Sequence, residues 1–160
     1  MERRPIFKHI HPVYELTPGV VRLGEQFGVA VDLEDEQGSV RRLVQLLDGT
    51  RTLEQVHMEM MAHFPALTRQ ELDEAVSALH EMGFLYDRAS EEQTELTAQE
   101  RDRYKGNLNL FEYYANFDRA PAHFQERLKQ AKVTILGMGA FGSSLLFNLA
   151  GLGVLHAKIV

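Results

Sequence analysis

Val133-Thr134-Ile135-Leu136-Gly137-Met138-Gly139-Ala140-Phe141-Gly142-Ser143-Ser144-Leu145-Leu146 decides how the second half of this 160-residue chain is read. An apolar run of strand type, Val133 to Leu136, leads into Gly-x-Gly-x-x-Gly at Gly137, Gly139 and Gly142, and a helical run follows. The first glycine permits a tight turn, the second lets the backbone approach a phosphate, and the third lets helix and strand pack closely. Glycines in this pattern alone mean little, but a strand before and a helix after them mark the start of a nucleotide-binding α/β fold of Rossmann type. Ala157-Lys158-Ile159-Val160 then begins a second, parallel strand. The acidic residue that completes such a site is expected roughly 20 residues beyond the glycines. The sequence stops at Val160, so an amino-terminal piece of a longer protein is expected.

Upstream, Thr97 and Glu100 form a Thr-x-x-Glu capping box for a helix through Tyr104, and Pro121 precedes a helix over Ala122 to Gln130 with Phe124 and Leu128 on one side. Phe111, Tyr113, Tyr114 and Phe117 form an aromatic cluster suited to packing a core or a neighbouring subunit. The polar stretch Ala89-Ser90-Glu91-Glu92-Gln93-Thr94-Glu95 has no apolar period and reads as a linker or exposed connection. The expected division is a first domain over 1–88, a linker over 89–96, and the lead-in and opening strand-loop-helix-strand of a second domain over 97–160.

In the first domain, Val13 to Leu16, Val20 to Leu23 and Val29 to Leu33 read as three short antiparallel strands, separated by Pro18-Gly19 and by a turn bracketed by Gly24 and Gly28. Three helical patterns follow. Ser39 can cap a helix carrying Val40, Leu43, Val44 and Leu47, which ends at Asp48-Gly49. Thr52 with Gln55 opens a second, with Leu53, Val56, Met60 and Phe64 along one side; Thr68 with Glu71 opens a third, with Leu72, Ala75, Val76 and Leu79 inward and Gly83 as terminator. Phe84 to Tyr86 adds a short strand. A three-stranded sheet plus three helices is the α+β winged-helix plan.

A winged helix suggests DNA, but the third helix would carry Glu71, Asp73, Glu74 and Glu81 towards phosphates. The formal net charge of −6 belongs to this region: residues 1–88 hold about nine Lys and Arg against about fifteen Asp and Glu, leaving about eight of each beyond. Nucleic acid is therefore not an expected partner. The absence of cysteine excludes a disulfide framework, a thiolate zinc site and a cysteine nucleophile. His57 and His63 lack the i, i+4 spacing of a zinc helix, so no metal is expected, and no Ser lies in a nucleophile-elbow pattern. No apolar run approaches the roughly 18 residues of a membrane span and the start lacks a secretory apolar core, so a cytoplasmic protein without membrane attachment is expected.

Leu46-Leu47-Asp48-Gly49-Thr50-Arg51-Thr52-Leu53 and Leu79-His80-Glu81-Met82-Gly83-Phe84-Leu85 resemble motifs of PqqD-like recognition elements of peptide-modifying pathways, over about Pro12 to Asp87. The resemblance implies that the leader of a precursor peptide adds as a strand to the open sheet edge, in the groove facing the third helix. Here the edge would be Val29, Ala30, Val31, Asp32, Leu33 and Glu34, and the helix wall Leu72, Ala75, Val76 and Leu79. Leu72 and Leu79 equally fit a buried stripe, and Ala75 and Val76 fit either role. Asp32, Glu34, Asp35 and Glu36 could attract a basic stretch, or simply keep an edge solvated.

Arg103-Tyr104, the run Phe124 to Val133 and the glycine loop resemble the opening of the ThiF and E1-like superfamily, which uses ATP to adenylate a carboxyl terminus. Ala140-Phe141 stands where that family has Gly-Leu, and Gly106, between Lys105 and Asn107, stands where active members carry an Arg. The glycines are accordingly expected to be a vestigial cofactor site, with no cofactor, no catalytic residue and no enzyme activity. A PqqD-like element ahead of a ThiF-like domain resembles the F proteins, or ocin-ThiF-like proteins, of azole and azoline pathways. The resemblance implies a scaffold that captures the leader and delivers the core peptide to a YcaO-type cyclodehydratase. The alternative is an active peptide-adenylating enzyme using ATP.

Overall fold

The computed structural model describes residues 2–160. Its chain opens with β1 (Pro5–Phe7), a strand absent from the sequence reading, and continues through β2 (Val13–Thr17), β3 (Val20–Leu23) and β4 (Val31–Glu34). The last three form an antiparallel sheet in the order β2-β3-β4. β4 starts two residues later than expected. The turn that Gly28 (φ +80°) closes extends forward, because the N–H groups of Val29 and Ala30 both donate to the carbonyl of Gln26, at 3.0 and 2.9 Å. Val29 and Ala30 therefore precede the edge strand rather than belonging to it.

Three helices cover this sheet: α1 (Ser39–Leu46), α2 (Leu53–His63) and α3 (Arg69–Glu81). Both expected capping boxes are present. The hydroxyls of Thr52 and Thr68 accept from the N–H groups of Gln55 and Glu71, whose side chains accept back at 2.9 and 2.7 Å. Each box satisfies two helix-end donors that would otherwise lack partners. α1 begins differently. Ser39 is its first residue, Gly38 its N-cap, and the cap is the buried carboxylate of Asp35, which accepts from Val40 N–H at 2.8 Å and Arg41 N–H at 3.2 Å. A full negative charge at the helix's positive end replaces the expected hydroxyl. It also removes Asp35 from any role facing a peptide.

Val21 and Leu23 of β3 pack against Leu43 and Leu46 of α1 and Leu47 just after it, Val56 and Met60 of α2, and Leu72, Val76 and Leu79 of α3 in one core. Helices of 8 to 13 residues are marginal alone; these buried stripes, at about 1.5–3 kcal/mol for each large side chain, hold them. β1 closes the unit by pairing antiparallel with β5 (Leu85–Asp87). Asp48-Gly49 does more than end α1: Gly49 (φ +77°) donates its N–H to Pro5 O at 3.0 Å, and a Cβ there would run into Ile6.

The expected linker is partly structured and partly buried. Arg88–Glu91 forms the helical turn α4, capped by Asp87 at Ala89 N–H (2.9 Å), with Ala89, Ser90 and Glu91 buried. The Glu91 carboxylate pairs with Arg101 of α5 (Ala98–Arg103), so a segment polar in sequence becomes a packed connection. α5 starts on the expected Thr97 box. α6 (Lys105–Phe111), a 3-10 turn over Glu112–Tyr114 and α7 (Pro121–Gln130) follow, and then β6 (Lys132–Ile135), α8 (Ala140–Leu152) and β7 (His156–Ile159), with β6 and β7 parallel. Among the described residues no helix is long and apolar enough to cross a membrane.

Side chains tie the two halves together. Phe117 enters the first core and stacks on His80 of α3, ring centroids 4.0 Å apart. Glu112, itself buried, accepts from Ile10 N–H at 3.3 Å and lies near Lys8, which is 1% exposed. Burial lowers the Lys8 ammonium to about 8 despite the Glu112 charge.

Candidate functional site

β4 pairs on one side with β3 and, among the described residues, has no strand on its other side. The register sets which of its backbone groups are free. Val21 lies opposite Leu33 and Leu23 opposite Val31, and Asp35 N–H donates to Gly19 O at 2.7 Å in the same ladder. Hydrogen-bonded and non-bonded pairs alternate in an antiparallel ladder. Leu33 and Val31 therefore spend their N–H and C=O groups on β3, while those of Asp32 and Glu34 point outward. The side chains alternate with the same period: Val31 and Leu33 turn towards the core, Asp32 and Glu34 towards solvent.

Beside this edge lies an apolar cavity of about 280 Å³. Leu33 and Glu34 of β4 form one wall, Val40 and Leu43 of α1 the end, and Ala75, Ala78, Leu79 and Met82 the opposite wall. It runs on past Val40, Leu43 and Ala75 into a smaller hollow bounded by Ser39, Leu67, Glu71 and Leu72. Of the residues expected from sequence, Val31, Asp32, Leu33 and Glu34 form the edge, and Ala75 and Leu79 line the cavity. Leu72 reaches only the smaller hollow, and Val76 is a core residue lining neither. Val40, Leu43, Ala78 and Met82 were not expected. Ala78 and Met82 continue the Ala75 row at i+3 and i+7 and were readable from spacing; the part played by α1 depends on how the helices cross.

Charges on this face are partly neutralised. Arg22 holds Asp32 by two bonds, 2.6 and 2.7 Å, across the β3–β4 pair, and this hydrogen bonding lowers the Asp32 carboxyl below its ordinary range. Among the described residues the Glu34 side chain has no ion pair or hydrogen bond.

The glycine loop joins β6 to α8 as expected. Gly137 adopts φ +85°, a Cβ on Gly142 would overlap Gly137 O, and Gly139 is the N-cap of α8 with no side chain capping the helix. Open space surrounds Gly137 and Gly139. Free N–H groups at a helix start, approached over bare glycine, suit a phosphate group. Phe141, 94% exposed, stands beside this start. Gly106 faces open space, whereas Asn107 donates to Gln125 Oε1 (2.9 Å) and Leu152 O (3.2 Å) and so holds the far end of α8. Among the described residues no cluster of His, Asp and Glu could hold a metal ion.

No protein-family model and no curated protein matches the chain. Among solved structures it is similar to E. coli MccB bound to AMPCPP and MccA (17% identity, TM-score 0.68, 99% of this chain and 42% of that one) and to E. coli MccB with ATP (19%, TM-score 0.67, 99% and 43%). It is also similar to PaaA (26%, TM-score 0.66, 95% and 44%). It shares their fold. The likeness runs through the sheet, the helices and the glycine loop alike, and the chain spans about two fifths of the length of these structures.

Proposed function

We propose that residues 1–88 form a winged-helix recognition domain that binds the leader of a ribosomally made precursor peptide by strand addition at β4. The observation that carries this reading is the free edge of Asp32 and Glu34 beside an apolar cavity walled by α3. Outward N–H and C=O groups bind any backbone, and a cavity under alternate side chains selects among sequences. The acidic outer side of α3 opposes DNA in the same place. MccB supports the reading, since it is a microcin C7 biosynthetic enzyme solved in complex with N-formylated MccA.

The proposed outcome of capture is delivery of the core peptide to a YcaO-type cyclodehydratase in the cytoplasm, with no cofactor and no chemistry on this chain. The departures at Ala140-Phe141 and Gly106 support it. A second reading, ATP-dependent adenylation of the bound peptide, is favoured by the open glycine loop and by the MccB structures with ATP and AMPCPP. In that case the N–H groups at the start of α8 would bind phosphate oxygens; the nucleotide supplies the activating phosphoryl chemistry.

Titrating the chain with the leader peptide encoded beside its gene tests capture. Binding is expected and should fall at least tenfold for Asp32→Pro, which removes an outward N–H; unchanged affinity in the folded variant would exclude strand addition. Pyrophosphate exchange from ATP in the presence of the precursor separates the two outcomes, since exchange requires adenylation and delivery requires none.

A further inference from the structure

We infer that the β4 groove selects an extended segment in which basic residues alternate with apolar ones, a Lys or Arg lying directly opposite Glu34. The inference rests on the proposed strand addition and adds the chemistry of the occupant. Adjacent strands keep their pleats in phase, so an added strand places every second side chain over the cavity, beside Leu33, and the others on the outer face beside Asp32 and Glu34. Positions over the cavity must be apolar, because Leu33, Ala75, Leu79 and Met82 offer no hydrogen-bonding side chain.

The outer positions meet a different surface. Asp32 is already held by Arg22, so its charge is spent within the sheet. Glu34 is directly opposite Val20 and, among the described residues, pairs with nothing, which leaves its carboxylate to face the incoming strand. Across the groove, Glu74 and Glu81 lie at i−4 and i+3 from Ala78 on the flank of α3; Glu74 accepts from neutral Gln70, and among the described residues neither has an ion-pair partner. The nearby cations of α1 are engaged, Arg41 with Asp35 and Glu15 and Arg42 with Glu59. An apolar floor between one free carboxylate on the strand side and two on the helix side repels an acidic segment and attracts a basic one.

The test uses two soluble fluorescent peptides with Leu at alternate positions and either Lys or Glu between them, flanked by Gly and Ser, titrated against the whole chain. The Lys peptide is expected to bind roughly tenfold tighter, and Glu34→Lys should narrow the preference by about threefold, the scale of one exposed ion pair. Raising the salt should narrow it as well. Ala78→Trp, which fills the groove from an exposed helix position, should abolish binding of both. Equal binding of the two peptides, lost in Ala78→Trp, overturns the charge preference and leaves groove capture standing. Binding of neither peptide, or binding indifferent to Ala78→Trp, overturns this inference, and only failure of the natural leader as well would overturn capture itself.

Discussion

α3 and α8 are both 13 residues long, yet α3 buries Leu72, Val76 and Leu79 along one stripe while α8 buries none of its residues fully and exposes Phe141, Leu145 and Phe147. α3 is polar on its other sides and is held at its start by Thr68 and Glu71; α8 is apolar all round and starts on bare glycines. A one-sided helix completes its packing within a small unit. A helix apolar on every side is built for cover on every side, and its stability here rests on the clamp of Asn107 and Gln125 at Leu152 O. The β4 groove thus rides on a well-packed helix, whereas the glycine loop lies on a lightly anchored one.

The strongest challenge to this contrast is a matched pair of truncations. Leu79→Ala should cost about 2–5 kcal/mol in denaturant unfolding, because it empties a buried site, while Leu145→Ala, 48% exposed, should cost less than about 1 kcal/mol. Equal costs would mean that α8 is as well packed as α3. Gly142→Ala comes next, at about 1–3 kcal/mol, since the new methyl must displace Gly137 O; hydrogen exchange should quicken in α8 and β7 and stay unchanged in α3.

Lys8 probes the seam between the halves. Its folded pKa of about 8 lies below the unfolded 10.5, so above pH 8 the unfolded chain binds more protons and stability should rise, by about 3 kcal/mol in all, until about pH 10.5. Lys8→Met should remove that rise and stabilise the protein at pH 7, as thermal melts across this range would show. Smallest is the cap: Thr68→Ala should lower stability by about 1 kcal/mol in denaturant titrations, and Ser143→Ala, whose hydroxyl bonds back to Gly139 O and Ala140 O at the start of its own helix, by less than about 0.5 kcal/mol.

Features fixed by local chemistry were legible from the residues: the Thr boxes, the Gly83 terminator (φ +81°), the glycine loop and the parallel strand after it. What escaped depends on distant partners. β1 is three residues long, too short for a period, and exists because Asp87, Gly49 and Leu47 receive it. Ser39 looked like a cap because Asp35, four residues earlier, folds back only once Gly38 turns the chain. The polar run after Asp87 is packed because Arg101 reaches back to Glu91. Within the candidate site, the edge and half of the helix wall could be read from alternation and spacing, whereas Val40 and Leu43 enter through the approach of α1 to α3.

Only Asp32 and Glu34 turn their main-chain groups outward along β4. Under strand addition that limits the grip to a footprint of about five residues, some 17 Å at a strand's rise. On that reading, everything beyond the footprint in a captured chain would go unread by this edge. Such a short address would be portable: grafted onto unrelated cargo it would be accepted on the same terms, and the cargo could diversify while β4 stayed the same.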